Sequence, residues 1–549
     1  MEGRREGVMQ AFDCWWKESA VYQIYPRSFQ DSNHDGIGDI EGIIRRLDYL
    51  QWLGVGAIWL SPIYRSPMKD FGYDISDYRS LDPVFGTIAD VDRLLEEAHT
   101  HNIRIILDMV LNHTSDQHAW FLESASSREN PKRDFYIWRD MKGRRYPNNW
   151  YGTFGGRAWT LDRKTGQCYL HSFLKEQPDL NWHNDAVVAA LFAELEFWLE
   201  KGVDGFRLDV INLIMKDVQL RNNPLGWGGR PRPYDLQRHL YDRNLSGSHE
   251  RLKTFRTMLE RYPQRMLVGE IMVDKPGEPE IAASYLGTGE DELHLAFDFS
   301  GTCLPWKADA WKRAAQRWER AIPKSGWPCW VLNNHDTRRS ITRWGGNIGR
   351  ARIAALFLLT QRGTPFLYYG EEIGMRDHPV RRSEMQDPLG LRYWPFHRGR
   401  DGSRRPMRWD GSMNHGFSDT TPWLPFDGQD HTDVFSQKED RSSLLHVYRD
   451  LLHMRNHDHA LRCGKTQWIE IEDSPKVLAY TRDAGTSRRL ILLNFTDKEV
   501  FFRAEPVQKA MESEVLRVLY STIPGDTSVE GTAQKLSLQP YQGMICTQG

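Results

Sequence analysis

Short apolar runs alternate with helical-period stretches along most of the chain. Ala20-Val21-Tyr22-Gln23-Ile24-Tyr25-Pro26 is an apolar run stopped by proline and predicts a first strand. From Glu41 to Leu53, Ile43, Ile44, Leu47, Leu50 and Leu53 recur at helical spacing, and Ala57-Ile58-Trp59-Leu60 predicts the next strand. A helix over Ile88–His99 and a strand over Ile103–Val110 follow. Strand, helix, strand, helix, strand implies a parallel sheet with crossover helices. From about Thr114 to Asp179 the periodicity breaks into a stretch rich in Asn, Gly, Trp, Arg and Pro. The alternation then resumes: helices over Ala186–Lys201, Glu250–Arg261, Ala308–Ala321 and Gly349–Thr360, and strands over Phe206–Ile211, Met266–Ile271, Leu293–Phe299, Cys329–Asn333 and Thr364–Tyr369.

Eight strands with intervening helices predict a (β/α)8 TIM barrel, an α/β fold. The barrel would occupy 1–113 and 181–460, with a small inserted domain at 114–180 after the third strand. Residues 371–430 form a loop-rich subdomain, and 218–250 a polar loop. A helix over Ser442–Asn456 closes the barrel. From 461 to 549 short β-like runs such as Lys476–Thr481 and Arg489–Phe495 predict a separate antiparallel β-sandwich domain. An insertion on the face where barrel loops build sites suggests a pocket wall.

Composition removes several function classes. The 549 residues carry 72 Lys+Arg against 74 Asp+Glu, a formal net charge of −2, with no basic block. Nucleic acid and acidic membranes are therefore poor partners. The six cysteines (Cys14, Cys168, Cys303, Cys329, Cys463, Cys546) include no CxxC, against a zinc site or a disulfide framework. The N-terminal MEGRREGVMQAFDCWW lacks an apolar core, and no run of 18 apolar residues occurs. A soluble protein of a reducing cytoplasm is expected.

The chemistry lies at strand ends. In Asp204-Gly205-Phe206-Arg207-Leu208-Asp209-Val210-Ile211-Asn212, Phe206, Leu208 and Val210 share one parity, and Arg207 and Asp209 share the other. A guanidinium and a carboxylate thus point into one space. Val268-Gly269-Glu270 and Asn333-Asn334-His335-Asp336 follow at comparable spacing, and strand three carries Asp108 before Leu111-Asn112-His113. Carboxylates on different strands converge only where those strands lie side by side with their ends aligned, as in a parallel barrel. Near the first strand, Asp31, Asn33, Asp35 and Asp39 offer side-chain oxygens and Ile37 a carbonyl. Such a loop suits a hard cation, calcium ahead of magnesium, in a structural role. Position twelve is Gly42 rather than Glu, unlike an EF-hand.

With Asp108-Met109-Val110-Leu111-Asn112-His113, Gln177-Pro178-Asp179-Leu180-Asn181, Gly205-Phe206-Arg207-Leu208-Asp209, Gly269-Glu270 and Asn334-His335-Asp336 occurring in this order, the chain resembles glycoside hydrolase family 13, the α-amylase family. Within it, the chain looks like the oligo-1,6-glucosidase and α-glucosidase group. The resemblance implies an exo-acting, retaining α-glucosidase on short oligosaccharides or disaccharides, with no organic cofactor. A transglucosylase, or a sucrose-acting or trehalose-type relative, would use the same glucosyl-enzyme intermediate. By resemblance Asp209 is the nucleophile, Glu270 the acid/base and Asp336 the third catalytic carboxylate. His113 and His335 hold sugar hydroxyls, Arg207 keeps Asp209 oriented and ionised, and Asp108 lies in the same substrate site. Tyr73 lies under the sugar being cleaved, and Asp74 with Arg400 clamps the non-reducing end. Val210, following the nucleophile, accompanies acceptance of α-1,6 links. The 31–39 loop matches the family's cation loop. Most of the 21 tryptophans are expected in packing, a minority as sugar platforms.

Overall fold

In a computed structural model, residues 14–226, 232–273, 277–426, 432–523, 531–532 and 534–549 are described. The N-terminal stretch before Cys14 lies outside these residues, as do short parts of the 218–250 loop, the 371–430 subdomain and the C-terminal domain.

Eight parallel strands form one sheet: β1 Val21–Ile24, β2 Ala57–Leu60, β3 Arg104–Val110, β4 Gly205–Asp209, β5 Met266–Gly269, β6 Leu295–Ala296, β7 Cys329–Val331 and β8 Thr364–Tyr368. Their order is β6-β5-β4-β3-β2-β1-β8-β7, which wraps the sheet into a barrel. No ladder joins β6 to β7 among the described residues; the Cys329 thiol donates to the Ala296 carbonyl across that seam at 3.1 Å. With one edge unpaired, the strand expected over Leu293–Phe299 shortens to two residues.

Strand alternation sorts the side chains into two cores. Val21, Ala57, Trp59, Ile106, Met266, Val268, Leu295, Cys329, Val331 and Phe366 fill the barrel interior. Tyr22, Ile58, Leu60, Ile105, Leu107, Phe206, Leu208 and Leu267 pack outward in the shell that contains the helices. Helix Ile88–Thr100 shows how the shell is made. Thr87 and Asp90 form a capping box, and Val91, Leu94, Leu95 and Ala98 are buried along one stripe. The helix expected from Glu41 to Leu53 is instead two, Ile40–Ile44 and Leu47–Leu53. Arg46 leaves the helical conformation between them. Its guanidinium bonds Gln30 and lies 4.0 Å from the Trp409 ring centre.

Between β3 and helix Asp185–Glu200, strands Trp138–Asp140, Trp159–Leu161 and Gln167–Leu170 form a small antiparallel sheet with its own core of Trp150, Trp159, Cys168 and Leu170. At the C-terminus, a five-stranded antiparallel sheet faces a three-stranded one. Val477, Ala479, Leu490 and Leu492 point between the sheets, while Leu478, Tyr480, Ile491 and Leu493 join the core that includes the barrel helix Ile348–Thr360. Among the described residues, no helix is long and apolar enough to cross a membrane, and all six cysteines are free thiols.

Candidate active site

Parity and register place the central charges. Arg207 and Asp209 take the inward parity of β4, because Phe206 and Leu208 are consumed by the outer shell. In register, Asp108 of β3 and Val268 of β5 flank Arg207. The Glu270 N–H donates to the Leu208 carbonyl at 2.9 Å, extending the β5 ladder one residue beyond its end. The preceding glycine is a matter of space: a Cβ on Gly269 would lie 2.4 Å from Leu293 Cδ1.

The result is one guanidinium serving three carboxylates. Arg207 Nη1 donates to Asp108 Oδ1 and to Asp209 Oδ1, each at 2.7 Å, and Nη2 donates to Glu270 Oε2. Tyr73 Oη and Trp59 Nε1 both donate to Asp108 Oδ2, at 3.1 and 3.2 Å. The Asp209 and Glu270 side chains are 8% and 13% exposed, opening into the cleft.

The ionisation of this cluster differs from the simple expectation that Arg207 keeps Asp209 charged. Burial pushes Asp209 well above the usual carboxylate range, with Glu270 and Asp108 adding repulsion that Arg207 does not cancel. Burial also raises Glu270, and raises Asp108 to about 6. One positive charge faces three desolvated carboxylates, which raises the proton affinity of the group.

Asp336 is the opposite case. Burial alone would raise it, but the guanidiniums of Arg400 and Arg404, with the hydrogen bond from His335, hold it well below the usual range. Arg404 Nη2 and Arg400 Nη1 reach its Oδ1 at 2.8 and 3.0 Å. His335 is kept neutral by burial. Its Nδ1 is 2.7 Å from Gln23 Nε2, which leaves Nε2 as the donor towards Tyr73 Oη at 2.7 Å and Asp336 Oδ2 at 3.2 Å. The His335 ring is stacked between Tyr73 and Tyr25. His113, brought by burial to about 4, bonds the Tyr73 carbonyl and Gln177.

The expected pairing of Asp74 with Arg400 is corrected. Asp74 is fully buried and turned back into its own loop, accepting from Ser66 Oγ and from the N–H groups of Lys69 and Asp70 at 2.9–3.0 Å. Asp70 takes the place assigned to it: Arg400 Nη2 donates to Asp70 Oδ1 at 2.7 Å and to Asp387 Oδ1 at 2.7 Å. Gly399 at φ +74° brings Arg400 to Asp387, and a Cβ there would meet Asp387 Oδ2 at 2.6 Å. Burial raises Asp70 even with Arg400 beside it, whereas for Asp387 the guanidiniums outweigh burial and lower it. Sequence reading missed Asp70, Asp387, Arg404 and Gln23. Asp70 alone left a signal, as the second acid flanking Gly72-Tyr73.

Val210 does not continue the strand parity with Phe206 and Leu208. It turns to φ +35°, rare for a β-branched residue, and packs with Phe154, Phe173, Leu213 and Leu389 at the cleft wall. Asp70, Tyr73, His113, Asp209, Val210, Glu270, Asp336 and Arg400 all line one cleft of about 1180 Å³. Its described aromatic lining is Tyr73, Phe154, Phe173, Tyr393 and Phe396 rather than tryptophan.

The 31–39 loop lies apart from this cleft. Asp31 accepts from the N–H groups of Asn33, His34 and Gly36, and Asp35 from that of Ile37. Asp39 accepts from Ser32 and caps the helix at Gly42. Among the described residues no three His, Cys, Asp or Glu side chains are grouped as a metal site. The donor set here includes the Asn33 amide and the Ile37 carbonyl, and three carboxylates, an amide and a carbonyl are the hard oxygens calcium takes.

A parallel barrel bearing convergent carboxylates at the C-terminal ends of its strands has the paired acids that cleavage of a glycosidic bond requires. The chain belongs to the α-amylase family: residues 23–464 match the α-amylase catalytic domain. It is 43% identical over 501 residues to a probable α-glucosidase of Rhizobium meliloti, covering 88% of this chain and 90% of the relative. It is 41% identical over 525 residues to an oligo-1,6-glucosidase of Parageobacillus thermoglucosidasius, covering 89% and 92%. The solved structure of an α-glucosyl transfer enzyme superposes with a TM-score of 0.90 at 38% identity, covering 97% of this chain and 99% of that one.

Proposed function

We infer that the protein is an exo-acting, retaining α-glucosidase that removes terminal α-linked glucose from short oligosaccharides or disaccharides. The observation that carries this is the placement of Asp209 and Glu270 on one guanidinium in a cleft whose wall bears the Asp70–Arg400–Asp387 ion pairs. That clamp offers charged acceptors and donors to the hydroxyls of a terminal sugar, which supports exo action.

Asp209 attacks the anomeric carbon while Glu270 gives its proton to the leaving oxygen. Water, deprotonated by Glu270, then releases glucose from the covalent ester. This division needs carboxyls about 5–5.5 Å apart, and shared contact with one guanidinium suits that separation. Asp336, held ionised, and neutral His335 and His113 bind sugar hydroxyls. Val210 in the cleft wall supports acceptance of α-1,6 links, and six free thiols suit a reducing cytoplasm. The 31–39 loop would hold calcium, magnesium being second, as a structural ion. EDTA should therefore lower the melting temperature and spare the initial rate below it; immediate loss of activity at unchanged melting temperature would refute that role.

The test is glucose release from isomaltose, maltose, sucrose and trehalose, with Asp209→Asn as control. Activity in the wild type with α-glucose formed first, abolished in the variant, is expected. Retained activity in the variant, or none in the wild type on any of the four, overturns the assignment. Likeness to an α-glucosyl transfer enzyme favours a second outcome of the same intermediate, transfer of glucose to a sugar acceptor, read as oligosaccharide products at high substrate concentration.

A further inference from the structure

The cleft is electrically divided. Its catalytic wall carries Asp70, Asp209, Glu270 and Asp336, with Arg400 paired to Asp70 and Asp336. The segments after β7 and before the clamp add Arg338, Arg343 and Arg398, against one further carboxylate, Asp377, among the described lining residues. Arg232 also lines the cleft, but Asp235 neutralises it at 2.6 Å. Asp377 pairs with Arg338, whose Nε is 3.6 Å from its Oδ2, and accepts from the Arg339 N–H at 3.1 Å, so one carboxylate stands against three guanidiniums. The Arg338 side chain is 71% exposed, which puts it at the mouth, whereas Asp209 is 8% exposed. Arg343 lies deeper, half-buried, its guanidinium held by the Leu332 and Gly301 carbonyls, which accept its hydrogen bonds without removing its charge. A formal net charge of −2 for the chain means that this positive rim is local placement, not composition.

We propose that the outer half of the cleft accommodates a leaving group bearing an anion, so that the enzyme prefers α-glucosides whose aglycone carries a phosphate monoester or a carboxylate. This rests on the α-glucosidase reading above and names its substrate class. A neutral glucosyl unit suits the acidic inner wall, which repels an anion. Guanidiniums at the mouth attract one, with the fork geometry that matches carboxylate and phosphate oxygens. The two fields together orient the substrate glucose-first and raise its capture rate, an effect that salt screens.

The experiment compares matched pairs on the full chain: trehalose against trehalose 6-phosphate, and glucosylglycerol against glucosylglycerate, with p-nitrophenyl α-glucoside as reference. The anionic member of at least one pair should show about tenfold higher kcat/KM at low ionic strength, chiefly through KM, and lose most of that advantage in about 0.5 M salt. Advantage in the first pair alone assigns phosphate, in the second alone carboxylate, and in both the shared charge. The anionic-to-neutral ratio should fall several-fold in Arg338→Gln and in Arg398→Gln. Equal or better turnover of both neutral members overturns the proposal and leaves the α-glucosidase reading standing. No turnover of any compound, the reference included, means that the underlying reading has failed.

Discussion

Asp70 and Asp74 sit four positions apart on either side of Gly72-Tyr73, and their side chains do different work. Asp74 is spent on backbone N–H groups, and Asp70 faces Arg400. Asp70→Asn should therefore cost kcat/KM about a hundredfold with little change in melting temperature, since it removes a charge from the clamp. Asp74→Asn should do the reverse, losing about 1–3 kcal/mol of stability while kcat/KM stays within a few-fold. Steady-state kinetics and thermal melts on the two variants decide it; equal kinetic loss would return Asp74 to the clamp. The buried cluster also sets a pH dependence. With Asp209, Glu270 and Asp108 all raised by burial, activity should fall on the acid side above the ordinary carboxylate range, as a proton fills the Asp209 carboxylate that must attack. The kcat/KM profile on a neutral glucoside measures this, and an acid limb near 4 would contradict it.

Elements fix where these residues stand. β3, β4 and β5 run in register, so Asp108, Arg207 and Glu270 meet because their strands are neighbours. Beyond β8 the chain turns into Glu371 and Glu372, both buried. Tyr448 and Asn333 donate to Glu371, and Tyr22 and Tyr49 to Glu372. Burial lifts Glu371 from an ordinary 4.5 to about 7. The folded state thus holds this proton more tightly than the unfolded chain. Its stabilising contribution is complete below about 4.5 and is lost as pH rises through about 7. Glu371→Gln should flatten the decline in melting temperature between about pH 5 and pH 8 relative to the wild type, with the variant gaining most at the alkaline end. Parallel curves for the two proteins would mean that the carboxyl does not titrate in the fold.

At the scale of the molecule, the C-terminal domain acts as a buttress. Its five-stranded sheet uses one face for its own sandwich and the other for the barrel helix Ile348–Thr360. Tyr480 Oη is 2.5 Å from Thr360 Oγ1, and the buried Arg482 reaches the Thr360 and Gly464 carbonyls. A chain ending at Gly464 keeps every catalytic candidate but uncovers that helix, which is buried almost all round. Such a chain should be found in the insoluble fraction, or melt well below the full chain, by expression trial and calorimetry. An equally stable truncation would show the interface to be dispensable.

Strand and helix periodicity, the inward parity of Arg207 and Asp209, and the acids at successive strand ends were legible because each depends on local pattern: period two, period 3.6, and the alignment of parallel strand ends. The family resemblance supplied the catalytic assignment. Three things the sequence left undecided. The Arg46 break, the turn at Val210 and the choice of Asp70 over Asp74 depend on neighbours distant in the chain: Gln30 and Trp409, the Phe154–Phe173 wall, and Arg400 held by Asp387. Protonation was equally out of reach, since desolvation is a property of the packed interior and outweighs the one guanidinium that the Arg-x-Asp spacing puts in place.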